Sequence, residues 1–192
     1  NDSVLILGDN IFYGDNLIKK LKNASSTYNQ STIFGYKVKD PERYGVIEFD
    51  EKNKVKSIIE KPLNPKSRFA VTGIYFYDKN VVNYAKKISK SERGELEITD
   101  LNNIYIRKGK LKVEIFGRGS AWFDTGTHDS LLDASNFIYT LEKRQSLKIG
   151  SPEEVAWRNK WIDNNQLLNL SKFSNKNEYG KYLEDLIPFH NS

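Results

Sequence analysis

The 192-residue sequence contains no cysteine and no methionine, and only two histidines. Without cysteine the chain can form neither a disulfide nor a thiolate zinc site, and a cysteine nucleophile is excluded. The longest purely aliphatic run, Val4-Leu5-Ile6-Leu7, is far too short to span a bilayer. These absences predict a cytoplasmic protein with no membrane partner.

No charge of one sign dominates the sequence. Thirty Lys and Arg residues stand against 25 Asp and Glu residues, which gives a net charge of +5. None of the lysine-rich stretches carries interleaved aromatic residues on one face, as a nucleic-acid-binding surface would. The surplus of positive charge therefore indicates a solvated surface, and we expect no nucleic-acid partner.

The opening of the sequence is unusual. Asn1-Asp2 stands directly before the apolar run, and a natural chain rarely starts so close to its core. We therefore expect the sequence to be a fragment of a longer protein.

Apolar patterning predicts an α/β body followed by a helical extension. Residues 3–7 are typical of a strand buried on both faces of a parallel sheet. Ser151-Pro152-Glu153-Glu154 has the cap serine, proline and acidic residues of a helix start. We predict an α/β part over residues 1–150 and a helical extension over 151–192 packing on the same domain. Further strands are predicted at 32–38, 46–49, 55–60, 69–77, 111–116 and 121–124, and further helices near 16–23, 80–88, 96–106, 128–144 and 166–185.

Two apolar strands each end at an aspartate next to a glycine or a turn. Asp9 follows the first strand in Leu-Gly-Asp-Asn, and Asp124 ends a second strand in Trp-Phe-Asp-Thr-Gly. Open α/β sheets bind ligands at the carboxyl ends of strands, and Mg²⁺ prefers few carboxylates together with water and phosphates. Each aspartate could equally cap a turn or a helix, so these two motifs alone leave both interpretations open.

Two cationic residues stand where they could hold a phosphate. Lys61 lies in Glu60-Lys61-Pro62 at the end of a predicted strand, and Arg93 precedes an acidic helix start. The alternative roles are an exposed Glu-Lys pair and a charge that balances Glu95 and Glu97. A glycine also interrupts the predicted strand at Val71-Thr72-Gly73, which often marks the close approach of a ligand.

Taken in order, six strings resemble the glucose-1-phosphate thymidylyltransferase family of sugar nucleotidylyltransferases. The match runs from Ser3 to about Arg158, and the ordered set is far more specific than any single string. The strings are Leu-Gly-Asp-Asn-Ile-Phe-Tyr-Gly, Asp-Pro-Glu-Arg-Tyr-Gly-Val, Glu-Lys-Pro, Ala-Val-Thr-Gly-Ile-Tyr-Phe-Tyr-Asp, Arg-Gly-Glu-Leu-Glu-Ile-Thr-Asp and Ala-Trp-Phe-Asp-Thr-Gly-Thr-His.

The resemblance implies a mixed Rossmann-like sheet of the nucleotide-diphosphosugar transferase type, a homotetramer, and a reaction of dTTP with glucose 1-phosphate. The sugar phosphate would attack the α-phosphate of dTTP in line, without a covalent enzyme intermediate. Asp9 and Asp124 would bind Mg²⁺, and Lys61 and Arg93 would hold the sugar phosphate. The residues implied to line the sugar are Asn10, Tyr44, Gly45, Glu60, Val71 and Trp122.

The resemblance also implies a regulatory nucleotide site near Gly14, Glu154 and Arg158. Asp15 departs from the family there, because many relatives have histidine at this position. A second departure is larger, since the sequence holds no glycine-rich phosphate loop and no stretch that would bind thymine. We therefore expect this chain alone to be inactive.

Three alternatives stay open at this stage. One is a sugar-1-phosphate nucleotidylyltransferase that uses UTP or CTP. Another is a non-catalytic sugar-phosphate-sensing domain. A metal-dependent glycosyltransferase is the third, although the Asp-x-Asp motif typical of that class is absent.

Overall fold

Eight short strands, all in the first 131 residues, make up much of the described part of the protein. The computed structural model describes residues 1–27, 29–173 and 177–187, and it divides into two units, Asn1–Leu131 and Leu132–Ser192. This division does not test the boundary predicted after residue 150, which stays a prediction. The strands are β1 (Ser3–Ile6), β2 (Asn10–Gly14), β3 (Ser31–Lys37), β4 (Gly45–Phe49), β5 (Val55–Glu60), β6 (Phe69–Tyr77), β7 (Leu111–Ile115) and β8 (Ser120–Asp124).

Six of these strands form one mixed sheet in unit 1. The order is β5-β4-β6-β3-β7, with β1 beside β6 on the edge of that strand that also meets β4. Among the pairs within this sheet, β3–β7 is parallel and the others are antiparallel. The mixed sheet that the resemblance implied is therefore confirmed, and the long strand β6 lies at its centre.

Alternation along the strands sends apolar side chains to both faces of the sheet. On one face Ile33 and Tyr75 pack against Leu101 and Tyr105 of the helix α3 (Ile98–Arg107). The opposite face carries Phe34 and Ile74 against the helix α1 (Leu17–Ser25). The short helix α2 (Val81–Ala85) lies next to α3 in the first layer. Helices therefore cover both faces of the sheet.

The first strand differs from its prediction. β1 pairs antiparallel with β6, and all four of its residues are exposed, including Val4 at 53% and Ile6 at 60%. The prediction of a strand buried on both faces of a parallel sheet was therefore wrong. Within the described residues no strand pairs with the other edge of β1, and this leaves its apolar side chains in contact with solvent.

A second sheet of two strands was not predicted. β2 and β8 pair antiparallel, with Asn10 opposite Asp124 and Phe12 opposite Trp122. This pairing brings the two aspartate motifs of the sequence together, although they lie more than a hundred residues apart. It is the feature of the fold that positions the candidate site.

Unit 2 is helical, as the sequence predicted for its tail. The helix α4 (His128–Gln145) begins in unit 1 and continues into unit 2, where α5 (Pro152–Arg158), α6 (Asn164–Phe173) and α7 (Glu178–Asp185) follow. Leu167, Tyr182 and Leu183 form the buried centre of this unit. Residues 174–176 and 188–192 of the predicted extension lie outside the described residues. In the described part of the chain, no helix combines the length and apolar character needed to cross a membrane.

Candidate functional site

One pocket in unit 1 collects all but one of the residues that were predicted for substrate, phosphate or metal. It opens where β1, β5 and β8 end, beside the central strand β6. Arg43, Thr99 and Tyr75 also line it, although no role was predicted for them from the sequence. The pocket residues that were predicted for substrate, phosphate or metal are Asp9, Asn10, Tyr44, Gly45, Glu60, Lys61, Val71, Trp122 and Asp124.

The two strand-end aspartates face one point at this pocket. A β-carbon placed on Gly126 would lie 3.3 Å from Asp124 Oδ1 and 3.8 Å from Asp9 Oδ2, so the carboxylates flank the same small space. The backbone of Asp9 is fixed there, because its carbonyl oxygen accepts hydrogen bonds from the amide and the hydroxyl of Thr125, both at 2.8 Å. The fold therefore joins the two motifs that the sequence left ambiguous.

This carboxylate pair fits a magnesium ion in its donor chemistry. Mg²⁺ is usually held by one or two carboxylates, while water and substrate phosphates complete its coordination. Among the described residues there is no group of three or more His, Cys, Asp or Glu side chains suited to a metal ion. The arrangement therefore suits a hard cation that arrives with phosphates better than a closed structural metal site.

Asn10 is held by three neighbours. Its Oδ1 accepts hydrogen bonds from the Gly73 amide at 3.0 Å and from Trp122 Nε1 at 2.6 Å, while its Nδ2 donates to Asp9 Oδ1 at 2.9 Å. A β-carbon on Gly73 would lie 2.6 Å from Asn10 Cγ. The group that approaches Gly73 closely is thus the side chain of Asn10, where the sequence had suggested a ligand.

Glu60 is positioned by a residue that the sequence analysis missed. The hydroxyl of Thr99, at the start of α3, donates to Glu60 Oε2 at 2.5 Å. Gly45 leaves room for this contact, because a β-carbon there would lie 3.0 Å from Thr99 Oγ1 and 3.3 Å from Glu60 Oε2. Thr99 belongs to the Glu-Ile-Thr-Asp string, but only the fold reveals that it faces the pocket.

Lys61 has an unusual backbone. Its φ is 41°, in the left-handed region, and its amide donates to the carbonyl oxygen of Tyr44 at 3.0 Å. β5 ends at Glu60, and the change of backbone direction at Lys61, just before Pro62, lets two consecutive residues line one pocket. A continuing strand would have placed them on opposite faces.

An aromatic wall closes another side of the pocket. The rings of Tyr44 and Trp122 lie 5.1 Å apart, and the guanidinium of Arg43 lies 5.4 Å from the Tyr44 ring. Burial raises the pKa of Tyr44, so its hydroxyl stays protonated and can donate a hydrogen bond at neutral pH. Flat aromatic faces of this kind suit the apolar faces of a sugar ring.

Arg93 is the predicted phosphate ligand that does not line the pocket. Its guanidinium lies in an adjoining groove, where it pairs with Glu95 at 3.1 Å, Glu97 at 3.6 Å and Glu60 at 3.8 Å. Glu60 lines both the pocket and this groove, so Arg93 is linked to the pocket through its ion pair with Glu60. These contacts match the alternative role considered for Arg93, in which its charge balances Glu95 and Glu97.

The three residues implied for a regulatory site fall in different units. Gly14 ends β2 with a φ of 145°, and a β-carbon there would lie 2.5 Å from the carbonyl oxygen of Gly119, so local packing requires glycine. In unit 2, Arg158 Nε donates to Glu154 Oε1 at 2.6 Å, and the Tyr182 hydroxyl donates to the other Glu154 oxygen. The regulatory role of these residues stays a prediction.

Comparison with known proteins agrees with this geometry. The family model described as nucleotidyl transferase matches residues 1–140. Proteins named glucose-1-phosphate thymidylyltransferase from Neisseria meningitidis serogroup A and Xanthomonas campestris pv. campestris strain B100 are 51% and 53% identical over 97% and 96% of this chain. The chain spans 65% and 62% of those relatives, which is less than two thirds of their length.

Solved structures give the same fold. A Bacillus anthracis structure, described as a glucose-1-phosphate thymidylyltransferase in complex with sucrose, is 38% identical with a TM-score of 0.62 and covers 79% of this chain and 57% of its own. A UDP-glucose pyrophosphorylase complexed with UDP-glucose has a TM-score of 0.63 at 21% identity, over 72% of this chain and 56% of its own, and supports the fold alone. Since the family model covers well over half of the sequence, the chain belongs to the nucleotidyl transferase family.

Proposed function

We propose that this chain supplies the sugar-phosphate and metal side of a reaction that joins dTTP and glucose 1-phosphate into dTDP-glucose and pyrophosphate. The observation that carries the proposal is the pair of carboxylates, Asp9 and Asp124, that flanks one space at a pocket also lined by Lys61. The choice of thymidylyl transfer rests on the relatives that are 51–53% identical and bear that name.

In this proposal Asp9 and Asp124 hold Mg²⁺, which neutralises phosphate charge when it is bound. Lys61 provides a point charge for the sugar phosphate, and Arg93 adds a second one if it leaves Glu95 and Glu97. Catalysis then rests on position and electrostatics, because in-line transfer between phosphates requires no covalent enzyme intermediate.

The sugar is proposed to lie between the aromatic wall and the central strand. Its hydroxyls would meet the Glu60 carboxylate, the Asn10 amide and backbone groups of Gly45 and Val71, while Tyr44 and Trp122 cover its face. Glu60 is well suited to this role because Thr99 fixes one of its oxygens, while its other oxygen has only a long ion pair of 3.8 Å with Arg93.

A cytoplasmic location and a homotetrameric assembly complete the proposal. The first rests on the absence of cysteine from the sequence, and the second rests on the family resemblance alone.

Calorimetric titration of this chain with glucose 1-phosphate, in the presence of Mg²⁺, tests the proposal. We expect binding of glucose 1-phosphate that is tighter than that of glucose or glucose 6-phosphate, because Lys61 and the metal recognise a phosphate at the anomeric position. Equal affinity for the three compounds, or no binding, would contradict it. Repeating the titration with dTTP, UTP or CTP, after adding the part of the Neisseria meningitidis relative that lies outside the matched region, then separates a nucleotidylyltransferase from a sugar-phosphate sensor.

A further inference from the structure

The side-chain amide of Asn10 can take only one orientation in this fold. Its Oδ1 faces the Gly73 amide and Trp122 Nε1, and both of these groups are donors that cannot accept a hydrogen bond. A flipped amide would set an NH₂ group against two N–H groups. The NH₂ group is therefore directed at Asp9, to whose Oδ1 it donates at 2.9 Å.

That contact determines how the Asp9 carboxylate is oriented. With Oδ1 held by Asn10, it is Oδ2 that lies toward Gly126 and the Asp124 carboxylate. The backbone of Asp9 is fixed separately by Thr125, so the amide controls mainly the rotation of the carboxylate. Outer contacts of this kind set both the direction and the affinity of a metal ligand.

Gly73 contributes to the same arrangement. Its amide donates to the Asn10 side chain instead of to the backbone next to β1, while its carbonyl oxygen accepts a hydrogen bond from the Leu7 amide at 2.9 Å. Any side chain at this position would collide with Asn10, since a β-carbon would lie 2.6 Å from both Cγ and Oδ1. The glycine within the central strand therefore exists to seat the Asn10 amide.

We infer that Trp122 and Gly73 are positioning residues that act through the Asn10 amide to orient Asp9 toward the shared cation space. The inference rests on the proposed role of Asp9 as a metal ligand. Trp122 then has a second role besides its place in the aromatic wall. The Asn10 side chain connects that wall to the carboxylate pair.

Titration of the chain with Mn²⁺ alone, followed by water-proton relaxation, tests this coupling without substrate or turnover. Trp122→Phe removes the indole donor and keeps an aromatic ring, and we expect it to weaken Mn²⁺ binding by roughly 10-fold. In an Asp9→Asn background the same change should have no further effect, because the coupling runs through Asp9. The matched control is Tyr36→Phe. The Tyr36 ring also packs against Trp122, but its hydroxyl donates to the carbonyl oxygen of Ser120, so its removal leaves Asn10 untouched.

Unchanged Mn²⁺ affinity in Trp122→Phe, or an equal loss in both backgrounds, overturns the inference. If Asp9→Asn itself binds Mn²⁺ as tightly as the original chain, the metal assignment in the proposed function fails and the inference fails with it. The two failures are thus separated by the Asp9→Asn variant.

A second measurement does not depend on how well a Trp122 variant folds. The chain has three tryptophans, so its NMR spectrum contains three indole N–H signals. We expect the Trp122 signal to lie downfield because its hydrogen bond is short, and to move upfield in Asn10→Ala. A signal that does not move in that variant would show that the bond to Asn10 is absent in solution.

Discussion

At the scale of single residues, two glycines mark where the backbone leaves room for other groups at the site. A β-carbon on Gly126 would enter the space between Asp9 and Asp124, and one on Gly45 would press against Thr99 and Glu60. Neither glycine has a positive φ, so backbone conformation does not require glycine at these positions. The space that each one leaves is therefore the reason for its presence.

Gly126→Ala is expected to weaken Mn²⁺ binding by roughly 10-fold, the effect of disturbing the surroundings of a metal ligand. The added methyl group would lie 3.3 Å from Asp124 Oδ1, which is tighter than an ordinary contact. Relaxation titration measures the affinity, and a thermal melt checks the fold. Gly117→Ala is the matched control, because its β-carbon would meet nothing within 4 Å. Equal affinities in the two variants would contradict the shared cation space.

Lys61→Ala is expected to weaken glucose 1-phosphate binding by about 1.5–3 kcal/mol, the contribution of a charge-assisted hydrogen bond. That loss corresponds to roughly 10- to 150-fold in Kd. Calorimetry measures it, and binding of unphosphorylated glucose should not change. Lys66→Ala serves as the control, since Lys66 is a largely exposed lysine near the same strands and lies outside the pocket. A similar loss in both variants would mean that net charge, rather than a contact, is responsible.

At the scale of secondary-structure elements, the strands between residues 31 and 77 could be predicted to within a residue or two. Their alternation and the turn residues between them are local signals. β2 was missed because residues 10–14 follow the Leu-Gly-Asp motif and show no separate strand signal. Its partner β8 lies more than a hundred residues away, and only the tertiary fold brings the two together.

The orientation of β1 could not be predicted for a related reason. A continuous apolar run indicates burial, but it does not encode which strand will pair with it or what will cover it. At the site, motifs located nine pocket residues, whereas Thr99 and the position of Arg93 depend on side-chain reach. Arg93 pairs with three carboxylates, and the sequence does not show where the fold places these carboxylates relative to the pocket.

The start of α5 carries a cap that the sequence predicted and the structure confirms. Ser151 is buried, and its hydroxyl accepts a hydrogen bond from the Glu154 amide at 3.3 Å and contacts the Tyr179 hydroxyl at 2.8 Å. Burial, and then the bond to Glu154, raises the pKa of the neighbouring Tyr182 to about 12. Tyr182 therefore remains a donor to Glu154 throughout the neutral range.

Ser151→Ala is expected to lower the free energy of unfolding by about 1 kcal/mol, the usual cost of losing a helix cap. Urea denaturation, followed by tryptophan fluorescence, measures it, because Trp157 and Trp161 both lie in unit 2. Ser151→Thr keeps the hydroxyl and should retain most of the stability. Equal losses in the two variants would attribute the effect to packing rather than to the cap.

At the scale of the whole molecule, the open edge of β1 predicts association. The hydrogen bond from Leu7 to Gly73 fixes the register, so the amide and carbonyl groups of Val4 and Ile6 point away from β6. An uncharged, apolar edge of this kind pairs readily with another strand. We therefore expect the chain to associate with increasing concentration, as measured by sedimentation velocity.

Ile6→Lys should reduce this association, because a lysine on an edge strand opposes pairing. Ile18→Lys makes the same change of charge at an exposed position on α1 and should leave the association largely intact. If both variants reduce it equally, added charge rather than the β1 edge is responsible.

The chain as written should form no dTDP-glucose. A nucleoside triphosphate is held by backbone N–H groups of a glycine-rich loop, a cation and basic side chains acting together. The sequence keeps the carboxylate pair and Lys61, but its most closely spaced glycines are Gly117 and Gly119, and no Gly-x-Gly-x-x-Gly occurs. Without such a loop the α-phosphate of dTTP is neither positioned nor stabilised.

A pyrophosphate-release assay measures this directly, on material whose intact mass matches the 192 residues. We expect no release above background with dTTP, glucose 1-phosphate and Mg²⁺, and release when the part of the Neisseria meningitidis relative outside the matched region is added. Because the added part alone lacks the carboxylate pair, Asp124→Asn in this chain should abolish the restored reaction. Turnover by the chain alone would show that its own residues already form a nucleotide site, and that the absence of a glycine-rich loop does not decide activity.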